Sequence, residues 1–281
     1  MKNYLSLVKF AHTLFALPFA CIGFAYGVKA APQFDWRVLP LMLLCMVSAR
    51  NAGMSFNRYA DRFIDARNPR TAKREIPRGV LPAGRVLSFC IINAAAFIAA
   101  AALLNPLCFY LSPVALALVL GYSYTKCFTW LCHLFLGLSL AIAPVGAYLA
   151  VTGAFAAAPL YFSAIVLFWT AGFDVLYALP DEEFDKQERL HSIPAAFGRK
   201  AALRLSVWLH VAAGLLVMIT GVALCGTWCY WAGAAIFVAL LAYQHCLVKA
   251  NDLRRLNAAF FTTNGVASVL FALWVVAGLL T

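Results

Sequence analysis

Nine apolar runs of close to 20 residues recur along this chain, and no other feature constrains its fold as strongly. The hydrocarbon core of a bilayer is about 30 Å thick and a helix rises about 1.5 Å per residue, so each run has the length of one crossing. The runs cover roughly 11–30, 37–57, 86–104, 106–123, 131–151, 159–180, 201–221, 227–247 and 258–279. Only Asn105-Pro106 divides the third from the fourth, so a count of eight is also open. Charged residues are 12% of the chain and hydrophobic ones 64%, whereas a soluble domain carries about 25% charged residues. The expectation is an all-α polytopic membrane protein, with residues 1–281 forming one domain. Lys2 and Lys9 precede the first run, but no small-residue cleavage site follows, so no removable leader is read there.

The formal net charge of +11 reads as topology. With the N-terminus in the cytoplasm, nineteen of the 22 Lys and Arg fall on the cytoplasmic side, Lys29 and Arg37 fall outside and Arg50 lies within a run. That is a strong positive-inside bias. Nine crossings then leave the C-terminus outside. Nucleic-acid binding, the other use of a basic chain, lacks any exposed domain to perform it. The nine cysteines are scattered, without a Cys-x-x-Cys pair or a zinc pattern with His, and read as small hydrophobes. Of the five histidines, only His12 and His191 lie near the polar motifs; the others are expected to be packed or interfacial.

Two acidic stretches interrupt the apolar pattern. The first is Asn57-Arg-Tyr-Ala-Asp61-Arg-Phe-Ile-Asp65, and the second runs from Asp174 through Tyr177 and Asp181 to Asp185. Each ends an apolar run and is followed by a long polar loop, 58–85 and 181–200, which suggests a loose internal duplication. Carboxylates this close to hydrocarbon cost roughly 2.5–3.5 kcal/mol each on insertion scales. On a helix, Asn57, Asp61 and Asp65 share one face over about 12 Å. Asp174, Asp181 and Asp185 also share a face, although Pro180 is placed to kink their helix. A single Asp-x-x-x-Asp at a helix end is usually a solvated terminus. Two, with Asn57 and Asp174 deeper on the same faces, favour a site.

Hard divalent cations take such oxygen ligands, and Mg2+ typically joins one or two carboxylates to substrate phosphates and water. Arg62, Arg70, Lys73, Arg74 and Lys126 supply positive charge for the same phosphates. A metal-neutralised diphosphate is a good leaving group, so an allylic diphosphate could ionise here. Aromatic faces such as Tyr122, Tyr124 and Tyr177 would support the cation. An electron-rich ring could capture it, and a slot between helices would hold an isoprenoid tail.

At this point the chain resembles the UbiA superfamily of intramembrane aromatic prenyltransferases. The resemblance is carried by Asn57-x-x-x-Asp61-x-x-x-Asp65, Arg70-Thr-Ala-x-Arg74-x-x-Pro77-x-Gly79, Tyr122-x-x-x-Lys126, Gly172-Phe-Asp174-x-x-Tyr177-Ala-x-x-Asp181-x-x-x-Asp185, and Ser192-Ile-Pro194 through Gly198. It implies about nine transmembrane helices around a central cavity, capped by two cytoplasmic loops, in the cell inner membrane. It implies that Asn57, Asp61 and Asp65, with Asp181 and Asp185, hold two Mg2+ and the diphosphate. Arg70 and Lys126 would contact the diphosphate, and Asp174 and Tyr122 would sit near the reacting carbon. The implied partners are a polyprenyl diphosphate, an aromatic acid acceptor and the lipid bilayer. Within the superfamily the chain is most similar to 4-hydroxybenzoate polyprenyltransferases and to the group that prenylates a dihydroxynaphthoate.

The sequence departs from the family pattern in three places. The segment from Lys9 to Ala20 lacks the basic residue that many members place near Pro in the first span, His191 replaces a common Lys, and Cys127 replaces a common Arg. The acceptor therefore stays open between 4-hydroxybenzoate and 1,4-dihydroxy-6-naphthoate, with Lys9 or His12 as its candidate contacts. The main alternative is a transporter, since intramembrane carboxylates also mark ion paths. Against it, the carboxylates gather at one face. A phosphoalcohol transferase is faintly echoed by Asp61-x-x-x-Asp65-Ala-Arg67, but its Asp-Gly step is missing.

Overall fold

The computed structural model describes every residue except Met1, residues 9–12, Pro32 and Phe34. In chain order the helices are α1 (Lys2–Leu7), α2 (Thr13–Ala30), α3 (Val38–Ala60), α4 (Arg62–Arg67), α5 (Ala83–Leu104), α6 (Pro106–Thr125), α7 (Cys132–Thr152), α8 (Ala157–Ala178), α9 (Glu182–Gln187), α10 (Ile193–Ala223), α11 (Trp228–Leu247) and α12 (Asn264–Leu280). A 3-10 turn, Leu179–Asp181, joins α8 to α9, and a π-helical turn, Ala258–Thr263, leads into α12. Among the described residues, eight helices are long and apolar enough to cross a membrane, and Phe15–Ala30 is a shorter apolar one. The protein is thus a multi-span membrane protein. Helices are the open solution in lipid because each satisfies its own backbone polar groups.

The Asn105-Pro106 boundary is a true break. Asn105 is extended, its side-chain oxygen accepts from the Cys108 amide, and its amide donates to the Leu149 carbonyl at 2.8 Å. One residue therefore ends α5, caps α6 and ties both to α7.

The helices close into a ring in which α2 packs on α7 and α12, α7 on α8, α8 on α10, and α3 on α5 and α6. Small residues allow the close approaches, as expected where lipid supplies no hydrophobic drive between helices. A Cβ on Gly23 would overlap the Pro144 carbonyl of α7, and one on Gly137 would overlap the Leu167 carbonyl of α8. Hydroxyls add bonds across the interfaces: Ser163 donates to the Ala141 carbonyl at 2.5 Å and Ser206 to the Gly172 carbonyl at 2.7 Å.

One side of the ring is filled by an aromatic core around Phe15, Phe19, Phe162, Trp169, Phe237 and Phe271. The Trp169 indole donates to Asn264 Oδ1 at 2.8 Å, which satisfies its buried polar edge. The other side, between α3, α5, α6 and α7, is open and forms a largely apolar cavity of about 520 Å³.

Candidate active site

Both acidic stretches come off long helices by the same local device. α3 ends at Ala60, Asp61 leaves helical geometry (φ −84°, ψ 0°), and the six-residue α4 follows. The ladder survives the break: the Asp61 amide donates to the Asn57 carbonyl at 2.9 Å and the Asp65 amide to the Asp61 carbonyl at 2.7 Å. Asn57, Asp61 and Asp65 therefore keep one face. On the second stretch α8 stops at Ala178, the turn carrying Pro180 intervenes, and the six-residue α9 follows. The kink expected at Pro180 is this turn.

The two stretches face each other across a polar chamber of about 240 Å³. Asn57, Asp61, Asp65, Asp174, Asp181 and Asp185 all line it, with Tyr122, Lys126, Arg70 and Arg74. Asn57, Tyr122, Asp174, Tyr177 and Arg74 also line the apolar cavity, so the polar chamber opens into the apolar one.

Three of the chamber's carboxylates, Asp61, Asp65 and Asp181, are each held by a cation. Lys126 Nζ donates to Asp61 Oδ2, which also accepts from Asn57 Nδ2 at 3.1 Å. Arg74 Nη1 reaches both oxygens of Asp65, at 2.7 and 2.8 Å. Arg70 takes Asp181 in bidentate fashion, and Asn68 Nδ2 donates to the same carboxylate at 3.0 Å. The Ser192 hydroxyl donates to Asp185 Oδ2 at 2.7 Å. Burial lifts the Asp61 carboxyl above its usual range, and the Lys126 ammonium draws it partway back. Arg67 and Glu188, bidentate at 2.9 and 2.6 Å, join the two loops at their exposed edge.

The donor set fits a hard divalent cation, being carboxylate and amide oxygens that line one chamber. Among the described residues, no three His, Cys, Asp or Glu side chains converge as a ready-made metal centre. Such a chamber suits Mg2+, which takes its remaining ligands from phosphate and water.

Several sequence expectations need correction. Arg62 does not line the chamber; its guanidinium lies 4.3 Å from the Tyr59 and Phe63 ring centroids and donates to the Tyr59 carbonyl. Adjacent helical residues diverge by about 100°, so a neighbour of Asp61 points elsewhere. Lys73 is exposed and also lies outside the chamber lining. Tyr124 is 49% exposed and packs on Phe56, away from both cavities. Tyr177 does line both, stacked on Phe260 at 4.1 Å beneath the Arg70 guanidinium. Lys9 and His12 lie outside the described residues.

Sequence reasoning passed over three residues. His133, expected to be packed or interfacial, is buried in the first turn of α7 beside Asp174 and lines the chamber. Sequence spacing offered no signal for it, because a turn between α6 and α7 separates it from Lys126. Arg58 and Arg50 line the apolar cavity close to Asn57 and Tyr122. Arg58 is only 5% exposed, and its Nε has no hydrogen-bond partner.

Comparison with known proteins agrees with this geometry. Residues 16–278 match the UbiA prenyltransferase family. The 4-hydroxybenzoate octaprenyltransferase of Aliivibrio fischeri (strain MJ11) is 31% identical over 242 residues, 84% of this chain and 82% of that protein. The apo structure of a UbiA homologue from Aeropyrum pernix K1 superposes with a TM-score of 0.85 at 31% identity, covering 95% of this chain and 97% of that one. A UbiA homologue from Archaeoglobus fulgidus bound to DMAPP and Mg2+ gives a TM-score of 0.78 at 20% identity over 99% of both chains, a likeness of fold. The chain is a prenyl-transferring enzyme and belongs to the UbiA prenyltransferase family.

Proposed function

We propose that this enzyme transfers a polyprenyl chain from an allylic polyprenyl diphosphate to the ring of an aromatic hydroxy acid, in a Mg2+-dependent reaction of quinone biosynthesis. The observation that carries the reading is the meeting of five carboxylates from two distant stretches in one chamber that opens into an apolar cavity. A diphosphate belongs in the first and an isoprenoid tail in the second.

In this reading Asn57, Asp61 and Asp65 hold Mg2+ together with Asp181 and Asp185. Bound there, the metal would neutralise the diphosphate and make it a better leaving group. Arg70, Arg74 and Lys126 each hold a carboxylate across the chamber and can turn the same donors to phosphate oxygens. Tyr122 and Tyr177 present ring faces where the chamber meets the cavity, suited to a developing allylic cation.

The acceptor's carboxylate needs a counter-charge inside the apolar cavity, and Arg58 offers a buried guanidinium with an unpartnered Nε there. The names of relatives favour 4-hydroxybenzoate; 1,4-dihydroxy-6-naphthoate offers the same charged group and stays an arm of the test. The enzyme is placed in the inner membrane with its N-terminus and site cytoplasmic and its C-terminus outside, on the positive-inside bias.

The test is product formation in washed membranes given a polyprenyl diphosphate, Mg2+ and either acid, with an EDTA control. An EDTA-sensitive prenylated product supports the reading and names the acceptor. Folded protein that converts neither acid overturns it.

A further inference from the structure

A buried polar cluster lies outside the chamber, where α8, α10, α11 and α12 meet. Its centre is Asn264, fully buried at the first position of α12. Asn264 Oδ1 accepts from the Trp169 indole at 2.8 Å. Its Nδ2 faces the Gln244 side-chain oxygen at 3.2 Å and the Ala259 and Phe260 carbonyls at 3.0 Å each. His210 Nδ1 faces Gln244 Nε2 at 3.2 Å and His245 Nε2 at 2.8 Å, while His210 Nε2 donates to the Trp169 carbonyl at 3.1 Å. Buried polar groups are costly unless their bonds are made, so the cluster favours one geometry. What it holds is the π-helical turn Ala258–Thr263. A π turn bonds each carbonyl to the amide five residues on, so one carbonyl is left over where α geometry resumes. The Asn264 side chain supplies a donor there.

Phe260 sits on this turn. It stacks on Tyr177, with ring centroids 4.1 Å apart and planes 25° apart, and meets Phe173 edge-on at 5.3 Å. Trp169, Phe173 and Tyr177 recur every four residues, so one face of α8 and its last turn presents all three rings to the π turn. The Arg70 guanidinium carbon lies 4.9 Å from the Tyr177 ring centroid. The Phe260 stack therefore holds the ring that carries Arg70. Arg70 also grips Asp181, a contact it must give up to take phosphate. Cation–π attraction survives that exchange, because it does not use the N–H fork. Phe260 lines the apolar cavity as well, so direct contact with an isoprenoid tail is the rival role.

We propose that Phe260 is a positioning residue for the diphosphate. Held by the Asn264-clamped π turn, it fixes Tyr177, and Tyr177 keeps the Arg70 guanidinium at the chamber while its fork changes from Asp181 to phosphate. The proposal rests on the placement of a diphosphate in the chamber by the prenyl-transfer reading above.

The test measures binding to the full chain in detergent by calorimetry, with two probes given with Mg2+: inorganic diphosphate and geranyl diphosphate. Inorganic diphosphate has no tail to touch Phe260. Phe260→Leu keeps an apolar side chain but no ring, and should weaken inorganic diphosphate about three- to tenfold. Phe260→Tyr keeps the ring and should stay within about twofold of wild type. In an Arg70→Ala background, Phe260→Leu should cost no more than about twofold, because the group it acts through is gone. An undiminished loss in that background marks a merely structural role and overturns the proposal. So does a loss confined to geranyl diphosphate, which makes Phe260 a tail contact. Wild-type affinity for both probes in Phe260→Leu overturns it too. If wild type binds the probes but converts neither acid, the proposed reaction fails while the binding comparison still decides this proposal. If wild type binds neither probe, the two fall together.

Discussion

The Arg70 guanidinium grips both carboxylate oxygens of Asp181, a residue 111 positions away in the chain, with Nε 2.8 Å from Oδ1. This pair closes the polar chamber across its two acidic stretches. It also sets a requirement: in the reading proposed here, Arg70 must turn from carboxylate to phosphate when substrate arrives. A planar fork suits both partners, whereas a lysine ammonium matches neither in bidentate fashion. Arg70→Lys should therefore raise KM for the diphosphate on the order of 10- to 100-fold, the loss of a charged hydrogen bond worth about 1.5–3 kcal/mol. Steady-state kinetics with varied diphosphate checks this, and an unchanged KM would remove Arg70 from the diphosphate site.

Asp61 accepts from both Lys126 and Asn57 at the turn between α3 and α4. Removing its carboxylate leaves Lys126 without its partner and, in the reading proposed here, takes away a metal ligand. Asp61→Ala and Asp181→Ala should each abolish product formation while the protein still extracts as a folded monodisperse species. Chelation of wild type by EDTA should do the same, and added Mg2+ should restore activity to wild type but to neither variant. Turnover at the wild-type rate in either variant would refute the metal assignment. Loss of substrate movement with product formation intact would instead favour transport.

Most of the fold was legible because hydrocarbon imposes a length rule. The runs read at 37–57, 106–123 and 227–247 are α3, α6 and α11 with small changes at their ends. The seventh run, read from 201, nearly matches the long part of α10, because Gly198 at φ 78° and ψ 163° separates the short helical segment 193–197 from the span that follows. The short segment before it went unread, although Ser192 followed by Pro194 is an N-cap signal for it. That Asn57, Asp61 and Asp65, and Asp174, Asp181 and Asp185, line one chamber was legible because spacings of four and seven put each set on one face. Arg62 and Lys73 were charge without direction: each neighbours a residue that lines the chamber and points away from it. His133 and Arg58 were hidden for another reason. Their importance comes from what folding brings close or leaves out: Asp174 beside His133, and a buried Arg58 Nε with no hydrogen-bond partner.

The glycine contacts that close the ring predict where bulk is not tolerated. At Gly23 and Gly137 the added methyl would meet backbone of the facing helix, Pro144 and Leu167, which cannot rotate aside as a side chain could. Gly23→Ala and Gly137→Ala should each destabilise by about 1–3 kcal/mol, the usual cost of overpacking. Gly84 has open space where its Cβ would go, so Gly84→Ala serves as the control and should be close to neutral. Thermal unfolding in detergent, followed by tryptophan fluorescence, would show the two groups apart. Equal midpoints for Gly23→Ala and Gly84→Ala would contradict the close α2–α7 packing.

Arg58 is where stability and function are expected to oppose each other. The side chain is buried at the wall of the apolar cavity, with its Nε unpartnered. Burying a charge with incomplete partners is costly, and replacing it by an apolar residue of similar length is often neutral or stabilising. Arg58→Met should therefore unfold at the same temperature as wild type or higher. If the guanidinium meets the acceptor's carboxylate, the same change should raise the acceptor KM on the order of 10- to 100-fold and leave the diphosphate KM alone. An acceptor analogue lacking the carboxylate sharpens the test, since it should lose its disadvantage in Arg58→Met. A variant that is less stable and binds the acid normally would show instead that Arg58 supports the helix ends and takes no part in choosing the acceptor.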